Sequence, residues 1–405
     1  MKRAALVVTI VFALLAFGCG FAGTTVALDV SRPAVSGSSA TVQFVVGDGD
    51  SSTEIATKLE KAGLIRNAMI FRLFARYKHL DSGLRKGTYN LSPGMTMDQI
   101  IATLLSAPIN EQIVALVPPG QRVTQYPKFF SQLPKFDANN FAKIAQTGKL
   151  LDSAQTPLWT KYWFVQKPSS QVRYALEGYL FPDTYSFDKT ADETQVVETM
   201  LENFGAHLCP GPDSNPNAYI DTLADCKSHA AKVGNTDIFS GLEKAYGTKN
   251  DVSALHTALT LAALTSREIA HLSDAPGVTN VYYTRYMAIL GKTNNTGATW
   301  SLGSDPSAQY ALDNKTPPKD GHWWKELPDA GANVATTDPY NTDVVTNPPT
   351  ALPPGPIAAP VWAEIAAAAN PSISQYFYFV SNCSGKILYA TTLEQNNANN
   401  PAHCP

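Results

Sequence analysis

The chain has 405 residues, a length that favours two or three domains and allows a sizeable hydrophobic core. Hydrophobic residues make up 44% of it and charged residues only 16%, below the roughly 25% usual for soluble domains. This composition agrees with an exported globular protein. A net charge of −3 provides no electrostatic footprint for nucleic acid, so we predict no nucleic-acid partner.

The N-terminus carries two basic residues, Lys2 and Arg3, before an uncharged apolar run over residues 4–22. That run is long enough to cross a bilayer of about 30 Å at about 1.5 Å per residue. We therefore predict a transmembrane anchor over residues 1–28, with the N-terminus in the cytoplasm and the rest of the chain outside. A cleaved signal peptide is the alternative, since TVA at residues 25–27 could serve as its cleavage site.

A small folded unit is predicted over residues 41–108, after a linker over residues 29–40 rich in small residues and proline. Val42 and Phe44 alternate with polar neighbours, which is typical of a strand. A helix is predicted to follow Ser52, a candidate N-terminal cap, and to run through Lys61. Further helices are predicted over residues 68–79 and 96–105, and a return strand over residues 85–91. The β-α-α-β order indicates a small α+β module, and periodicity alone does not distinguish a ligand-binding module from a spacer.

Residues 109–405 are predicted to form one larger domain of mixed helices and strands. Within it, residues 112–117 and 376–380 have the pattern of strands, and residues 251–272, 276–290 and 361–369 that of helices. The fold class predicted for the whole chain is therefore α+β, with an N-terminal membrane anchor, a small module and a larger mixed α/β domain.

Four cysteines follow the apolar N-terminal run and form two local pairs, Cys209 with Cys226 and Cys383 with Cys404. An even number of cysteines outside the cytoplasm favours two disulfides. No CxxC or HExxH motif occurs. The Glu-x-x-His spacing of Glu268 and His271 is found in di-iron bundles, but those need two copies and further carboxylates. We predict no metal and no cofactor.

The segment LEGYLFPDTY at residues 176–185 is dense in carboxylates and aromatic rings. If the segment is extended, alternate residues share one face. These are Glu177, Tyr179, Phe181, Asp183 and Tyr185. Aromatic rings that stack on sugars, beside carboxylates that accept hydroxyl protons, suit a glycan groove. The alternative is a structural loop in which Asp183 caps its own backbone.

The helix predicted over residues 251–272 is apolar on every side, which is typical of a buried helix. Glu268 continues its apolar stripe near the C-terminal end, where burial and the helix dipole both favour the protonated acid. A carboxyl of this kind suits a general acid near neutral pH. The alternative is a buried carboxylate paired with Arg267 or Arg285.

Five further blocks accompany LAALTSRE at residues 261–268: LEGYLFPDTY at 176–185, GSDP at 303–306, PYNT at 339–342, LPPGPIAAP at 352–360 and YFYFV at 376–380. Together they resemble the endolytic murein transglycosylase family, also called the YceG-like family, in order over roughly residues 112–380. The resemblance implies that the module at 41–108 is LysM-like and that residues 109–405 are the catalytic domain. Stretches with little likeness to the family are expected to be insertions near residues 130–170, 206–250 and 313–337.

The resemblance implies a lyase, in which one glutamate protonates the glycosidic oxygen between N-acetylmuramic acid and N-acetylglucosamine. The same carboxylate then takes a proton from the C6 hydroxyl, whose oxygen attacks C1 and leaves a 1,6-anhydro end. One acid suffices for this reaction, whereas glycoside hydrolases usually use two. The family motif Glu-Lys-Glu corresponds here to Ser266, Arg267 and Glu268, so Glu268 matches the catalytic acid.

The matched blocks imply further substrate contacts. They are Glu177, Tyr179, Phe181, Asp183, Tyr185, Arg285, Asp305, Tyr340, Asn341 and Thr342. The implied partners are peptidoglycan glycan strands, the bacterial inner membrane and peptidoglycan synthases. The implied role is to limit glycan strand elongation from outside the cytoplasm.

Three positions depart from the family pattern: Pro119 and Ser266 each replace a glutamate, and Thr284 replaces an asparagine. They leave open a second interpretation, a non-catalytic peptidoglycan-binding scaffold of the cell-wall synthesis machinery. A serine or metal-dependent hydrolase lacks support, since no GxSxG or metal motif occurs.

Overall fold

A computed structural model describes residues 32–47, 49–77, 86–106, 108–109, 112–210, 222–233, 236–247, 251–293, 301–315, 318, 323–324, 337–343, 351–382 and 384–400. The chain divides into two compact units. One comprises Met1–Val114 with Ser186–Lys189, and the other Ala115–Tyr185 with Thr190–Pro405.

The first unit contains a two-stranded antiparallel sheet and three helices. Strand β1 (Val42–Val46) pairs with β2 (Gly87–Leu91), and the helices are α1 (Ser52–Lys61), α2 (Ala68–Tyr77) and α3 (Met97–Leu105). Helices α1 and α3 begin with capping boxes at Ser51 and Thr96. In each, the cap side chain accepts a hydrogen bond from the backbone amide three residues later, and the side chain of that later residue accepts one from the cap amide. The apolar faces of these helices and the inward side chains of both strands form one buried core.

The second unit is mainly helical. Strand β3 (Gln112–Leu116) pairs with β4 (Thr184–Asp188). Further pairs are β5 (Lys232–Val233) with β6 (Thr236–Asp237) and β7 (Tyr378–Ser381) with β8 (Ile387–Ala390). A 3₁₀ turn at Val123–Phe129 precedes α4 (Ala138–Thr147), α5 (Leu158–Lys161), α6 (Glu193–Leu208) and α7 (Leu223–Ser228).

The centre of the second unit is helix α9 (Asp251–Glu268). It packs against α8 (Ile238–Tyr246), α10 (Ala275–Ile289), α11 (Asp305–Lys315) and α12 (Trp362–Ala369), and α13 (Leu393–Asn399) follows the last strand. Ten residues of α9 are buried, as its lack of a polar face predicts. The helix ends at Glu268, four residues earlier than predicted, because the chain turns through a 3₁₀ segment at Leu272–Asp274 into α10.

The predicted fold class needs correction. The structure shows mixed helices and strands, and among the residues it describes no helix combines the length and apolar character needed to span a bilayer. The predicted anchor at residues 1–28 lies outside the described residues. The longest described helix, α9, carries Asp251, Arg267 and Glu268 and is surrounded by protein, so its apolar surface serves the core rather than lipid.

One of the two predicted disulfides is present. Cys209, at the end of α6, is bonded to Cys226 in α7, and both side chains are buried. The other predicted pair, Cys383 with Cys404, lies outside the described residues.

Candidate active site

The site is built around the last residue of α9. The Tyr282 hydroxyl, from the middle of α10, donates a 2.6 Å hydrogen bond to Oε1 of Glu268. Tyr282 is fully buried, and burial raises the pKa of its hydroxyl, which keeps the donor protonated. Among the described residues, Tyr282 is the only side chain that bonds this carboxyl, so Oε2 is left to carry or release a proton.

Burial raises the pKa of Glu268 to about 7, although part of the residue's surface reaches solvent. The hydrogen bond from Tyr282 opposes this rise because it stabilises the anion. The negative charge of Asp305 raises the pKa further, and the cations Arg285 and Arg267 lower it. The balance leaves a carboxyl that is partly protonated at neutral pH, as the apolar stripe of α9 predicts.

Arg285 is held in place by backbone carbonyls. Its Nε donates to the Phe377 carbonyl at 2.6 Å, and its Nη1 donates to the carbonyls of Leu302 at 2.7 Å and Gly303 at 3.3 Å. Gly303 has a φ of 63°, and a Cβ there would meet Nη1 of Arg285 at 3.3 Å. This arginine therefore fixes the loop before α11 relative to strand β7 while contributing positive charge near Glu268.

The GSDP and PYNT segments meet beside this arginine. The Gly303 amide donates to the Thr342 carbonyl at 3.0 Å, and the Ser304 amide donates to the Thr342 hydroxyl, also at 3.0 Å. The Ser307 and Thr342 hydroxyls lie 2.6 Å apart. These bonds bring together two stretches far apart in sequence, and they place Asn341 and Asp343 next to the N-terminus of α11, where Asp305 begins the helix.

A second perturbed carboxyl, Asp343, was not predicted from the sequence. Burial and the charge of Asp305 raise its pKa to about 6, and Arg285 opposes the rise. The Asp343 amide donates to Oδ1 of Asn341 at 3.0 Å. The Asn341 side chain is buried, and its Nδ2 has no partner among the described residues. Asp343 follows the matched PYNT block by one residue, which is the only sequence signal that could have indicated it.

Glu177 lies in a separate buried cluster. Its Oε1 accepts the Val123 amide at 2.8 Å, and its Oε2 accepts the Tyr310 hydroxyl at 3.0 Å. Burial raises the pKa of Glu177 to about 8, against the effect of these bonds and of nearby Arg122. Tyr340 belongs to the same cluster, since its ring lies 4.9 Å from that of Tyr310.

The segment from Glu177 to Tyr185 is not extended throughout. Gly178 has a φ of 81°, and a Cβ there would clash with Pro356 at 2.5 Å, so the chain turns here and strand β4 begins only at Thr184. The aromatic side chains consequently point into the core, where the Tyr179 hydroxyl contacts Nδ1 of His256 at 2.8 Å and Phe181 packs on His207.

The two remaining residues of this segment have local partners. The buried Tyr185 donates its hydroxyl to the Phe181 carbonyl at 2.6 Å. Asp183 is exposed and accepts the Thr184 amide at 2.7 Å and the Asn203 side-chain amide at 3.0 Å. Of the predicted contact residues, the structure thus brings Arg285 and Asp305 close enough to Glu268 to change its pKa, and it places Asn341 and Thr342 beside the loop that precedes Asp305. Glu177, Tyr179, Phe181, Tyr185 and Tyr340 pack in the interior, and a substrate role for them and for Asp183 stays a prediction.

Two cavities open near these elements. One, of about 240 Å³, is lined by Gly120, Ser266, Arg267 and Glu364 among others. The second, of about 530 Å³, is lined by Arg173, Tyr174 and Pro339 among others. In the described part of the chain, no group of three or more histidine, cysteine, aspartate or glutamate side chains is arranged to hold a metal ion.

The chain is similar in sequence to known proteins. The chain matches the sequence profile of the YceG-like family over residues 44–402. It is 26% identical over 372 residues to the endolytic murein transglycosylase of Bacillus subtilis (strain 168), covering 90% of this chain and 86% of that protein. It is also 25% identical over 414 residues to the protein of the same name from Streptococcus pneumoniae serotype 2 (strain D39), covering 97% of this chain and 64% of that longer relative.

A solved structure is also similar. The crystal structure of a yceG-like protein from Listeria monocytogenes matches with a TM-score of 0.47 and 23% identity, over 90% of this chain and 100% of that one. The profile match covers most of the chain and includes every element of the site around Glu268. The resemblance carried by the sequence blocks is confirmed, and the chain belongs to the YceG-like family.

Proposed function

We propose that this protein is an endolytic murein transglycosylase that cleaves peptidoglycan strands without water. The proposal rests on its relatives of that name and on one observation in particular, the buried carboxyl of Glu268. Its pKa of about 7 and the hydrogen bond that it accepts from Tyr282 suit a group that must first donate and then accept a proton near neutral pH.

In the proposed reaction, Oε2 of Glu268 donates its proton to the glycosidic oxygen that links N-acetylmuramic acid to N-acetylglucosamine. The bond between C1 and that oxygen breaks, and the N-acetylglucosamine side leaves as an alcohol. The carboxylate then takes the proton of the muramic acid C6 hydroxyl, and the C6 oxygen bonds to C1. The products are a new N-acetylglucosamine end and a 1,6-anhydro-muramic acid end, and Glu268 returns to its protonated form.

The surrounding charges suit this sequence of steps. Positive charge builds up near C1 as the glycosidic bond breaks, and the exposed carboxylate of Asp305 together with Asp343 would stabilise it from the neighbouring loop. Arg285, anchored by three carbonyls, would stabilise the Glu268 anion between the two proton transfers. Asn341, whose Nδ2 is buried without a partner among the described residues, is a candidate donor to a sugar hydroxyl or acetamido oxygen.

We further propose that the domain works outside the cytoplasm, where its substrate would be found. The disulfide between Cys209 and Cys226 supports this location, since such bonds persist in oxidising compartments. Cleavage within newly made strands would then limit their length, and peptidoglycan synthases are the partners that this role implies.

The experiment is digestion of purified peptidoglycan sacculi followed by mass spectrometry of the released fragments. We expect internal cleavage with 1,6-anhydro ends. Fragments that carry reducing muramic acid ends instead would indicate hydrolysis and contradict the non-hydrolytic reaction. Tight binding without any release would favour the non-catalytic scaffold, for which the departures at Pro119, Ser266 and Thr284 are the supporting observations.

A further inference from the structure

The ring of Trp324 lies close to two guanidinium groups. The Cζ atom of Arg122 is 3.8 Å from the ring centroid, and that of Arg267 is 4.3 Å from it. Distances below about 6 Å are typical of cation–π contacts, which strengthen as the cation loses water. Arg122 is fully buried and Arg267 is partly buried, so both contacts lie largely away from solvent.

Trp324 is fixed in an unfavourable backbone conformation. Its φ is 67°, in the left-handed region that bulky side chains rarely adopt. The Trp324 amide donates to Oδ2 of Asp313 at 3.2 Å, and the same oxygen lies 2.9 Å from Nη2 of Arg122. The Tyr310 ring adds a second cation–π contact with Arg122, at 4.7 Å. Asp313 and Arg122 together therefore hold the indole in place despite the backbone strain.

The Arg267 guanidinium has few other contacts among the described residues. Its Nη1 lies beside Gly120, where a Cβ would approach it to 3.2 Å, and its Nε has no hydrogen-bond partner among the described residues. The next residue in the chain is Glu268, whose negative charge raises the pKa of Arg267 against the effect of burial. An ion pair with that carboxylate would stabilise a partly buried guanidinium that has an unsatisfied donor.

Four groups act electrostatically on the Glu268 carboxyl from the elements packed around it. They are Tyr282 and Arg285 on α10, Asp305 on α11 and Arg267 on α9 itself. Of the two cations, Arg285 is tied to the carbonyls of Phe377, Leu302 and Gly303, so it cannot move without breaking those bonds. Arg267, in contrast, would be free to move if its contact with the Trp324 ring were lost.

We propose that Trp324 is a positioning residue, which holds the Arg267 guanidinium against its ring and so prevents it from forming an ion pair with Glu268. This role rests on the proposed function of Glu268 as the acid. Without the indole, Arg267 turns to the carboxylate and stabilises the anion, and the acid then loses its proton at a lower pH.

The test measures the pH dependence of peptidoglycan cleavage by Trp324→Ala. An opposite charge within about 4–6 Å lowers a carboxyl pKa by about 1–3 units, so we expect the alkaline limb of the profile to move down by about one pH unit. At pH 8 the rate would then fall about tenfold relative to the unchanged protein. Trp323→Ala is the matched control, since the Trp323 ring contacts Arg122, at 5.0 Å, and carries no such contact with Arg267 among the described residues.

Two further variants separate the causes. Trp324→Phe keeps an aromatic face for Arg267 and should leave the alkaline limb in place. Trp324→Ala combined with Arg267→Met removes the mobile cation and should restore the limb to its original pH. If the downward shift persists in the double variant, entry of water rather than Arg267 causes it, and the positioning role is overturned.

A readout independent of turnover distinguishes failure of this inference from failure of the proposed function. The Glu268 carboxyl can be titrated by ¹³C NMR in glutamate-labelled protein, with Glu268→Gln identifying its resonance. A lower midpoint in Trp324→Ala supports the positioning role even if no variant cleaves peptidoglycan. An unchanged midpoint in a correctly folded, active protein overturns it.

If the Trp324→Ala protein does not fold, Arg267→Met alone still tests the proposal. Because the ring already restrains Arg267, removal of the guanidinium should raise the Glu268 midpoint by well under one unit. A rise of more than one unit would mean that Arg267 already pairs with the acid, and that result also overturns the proposal.

Discussion

Tyr282 donates its hydroxyl to Oε1 of Glu268 across 2.6 Å, joining the middle of helix α10 to the last residue of helix α9. The bond orients the carboxyl and leaves Oε2 available for proton transfer. It also lowers the carboxyl pKa, against the larger effect of burial. The acid therefore depends on a partner that is fourteen residues away in sequence.

Replacement of Tyr282 by phenylalanine should raise the pKa of Glu268, because the lost hydrogen bond stabilised the anion. We expect the alkaline limb of the cleavage profile to move to higher pH. We also expect the rate at neutral pH to fall by about tenfold or more, because the carboxyl is no longer oriented. Tyr283→Phe is the control, since that neighbouring hydroxyl donates to the Ala245 carbonyl instead. An alkaline limb that moves to lower pH in Tyr282→Phe would contradict this assignment.

The buried carboxyls should make the protein less stable as pH rises. Glu177 has a folded-state pKa of about 8, above the value of about 4.3 in an unfolded chain, so the folded state binds more protons between these limits. The stabilisation is complete below the unfolded pKa and is lost as pH rises through the folded one. The free energy of unfolding in urea should thus decrease from pH 5 to pH 8, by at most about 1.4 kcal/mol per pH unit for each proton.

Glu177→Gln should flatten that dependence, because glutamine keeps the carbonyl acceptor for Val123 but does not titrate. Glu243→Gln, at an exposed position of α8, serves as the control and should leave the slope unchanged. An unchanged slope in Glu177→Gln would show that this carboxyl titrates normally in the folded protein.

Arg285 should be irreplaceable by lysine. A single ammonium cannot reproduce the fork that reaches both Phe377 and Leu302, so Arg285→Lys leaves at least one carbonyl without its charged donor. We expect a loss of roughly 1.5–3 kcal/mol in the free energy of unfolding and a marked loss of cleavage. Lys161→Met, which breaks a surface ion pair with Glu198, should cost less than about 1 kcal/mol. Equal losses in the two variants would contradict the structural role of Arg285.

The disulfide between Cys209 and Cys226 should be found by peptide mapping without reduction. Its removal by substitution of both cysteines with serine should cost roughly 2–4 kcal/mol of stability, as is typical for a loop of this size. The same map tests the predicted bond between Cys383 and Cys404. Free thiols at Cys209 and Cys226 in protein exported by its native cells would contradict an oxidising location.

The raised pKa of the Glu268 carboxyl could be predicted from the sequence because one helix carries the whole signal. Glu268 continues the apolar stripe of α9, and the same stretch matches a family block. The meeting of Gly303 with Thr342 could also be expected, since both lie in matched blocks that only a shared site would bring together.

Other features depend on packing that no local pattern contains. Tyr282 precedes Arg285 by three residues and so shares a helix face with it, but its contact with Glu268 appears only once α9 and α10 pack. The prediction that alternate residues from Glu177 to Tyr185 share one face required an extended chain. The left-handed turn at Gly178 makes the prediction wrong. The sequence shows Trp324 only as an aromatic residue in an expected insertion. Its contacts with Arg122 and Arg267 appear only in the folded structure.

Digestion of sacculi by Glu268→Gln tests the central claim most directly. Glutamine keeps the size of the side chain and an acceptor for Tyr282 but has no transferable proton, and general acid–base catalysis is typically worth about 10²–10⁴-fold. Glu243→Gln, at an exposed position of α8, is the control, because it makes the same replacement away from this carboxyl. We expect Glu268→Gln to release almost no 1,6-anhydro ends while Glu243→Gln remains active, and cleavage by Glu268→Gln at the unaltered rate would contradict the role of Glu268 as the acid.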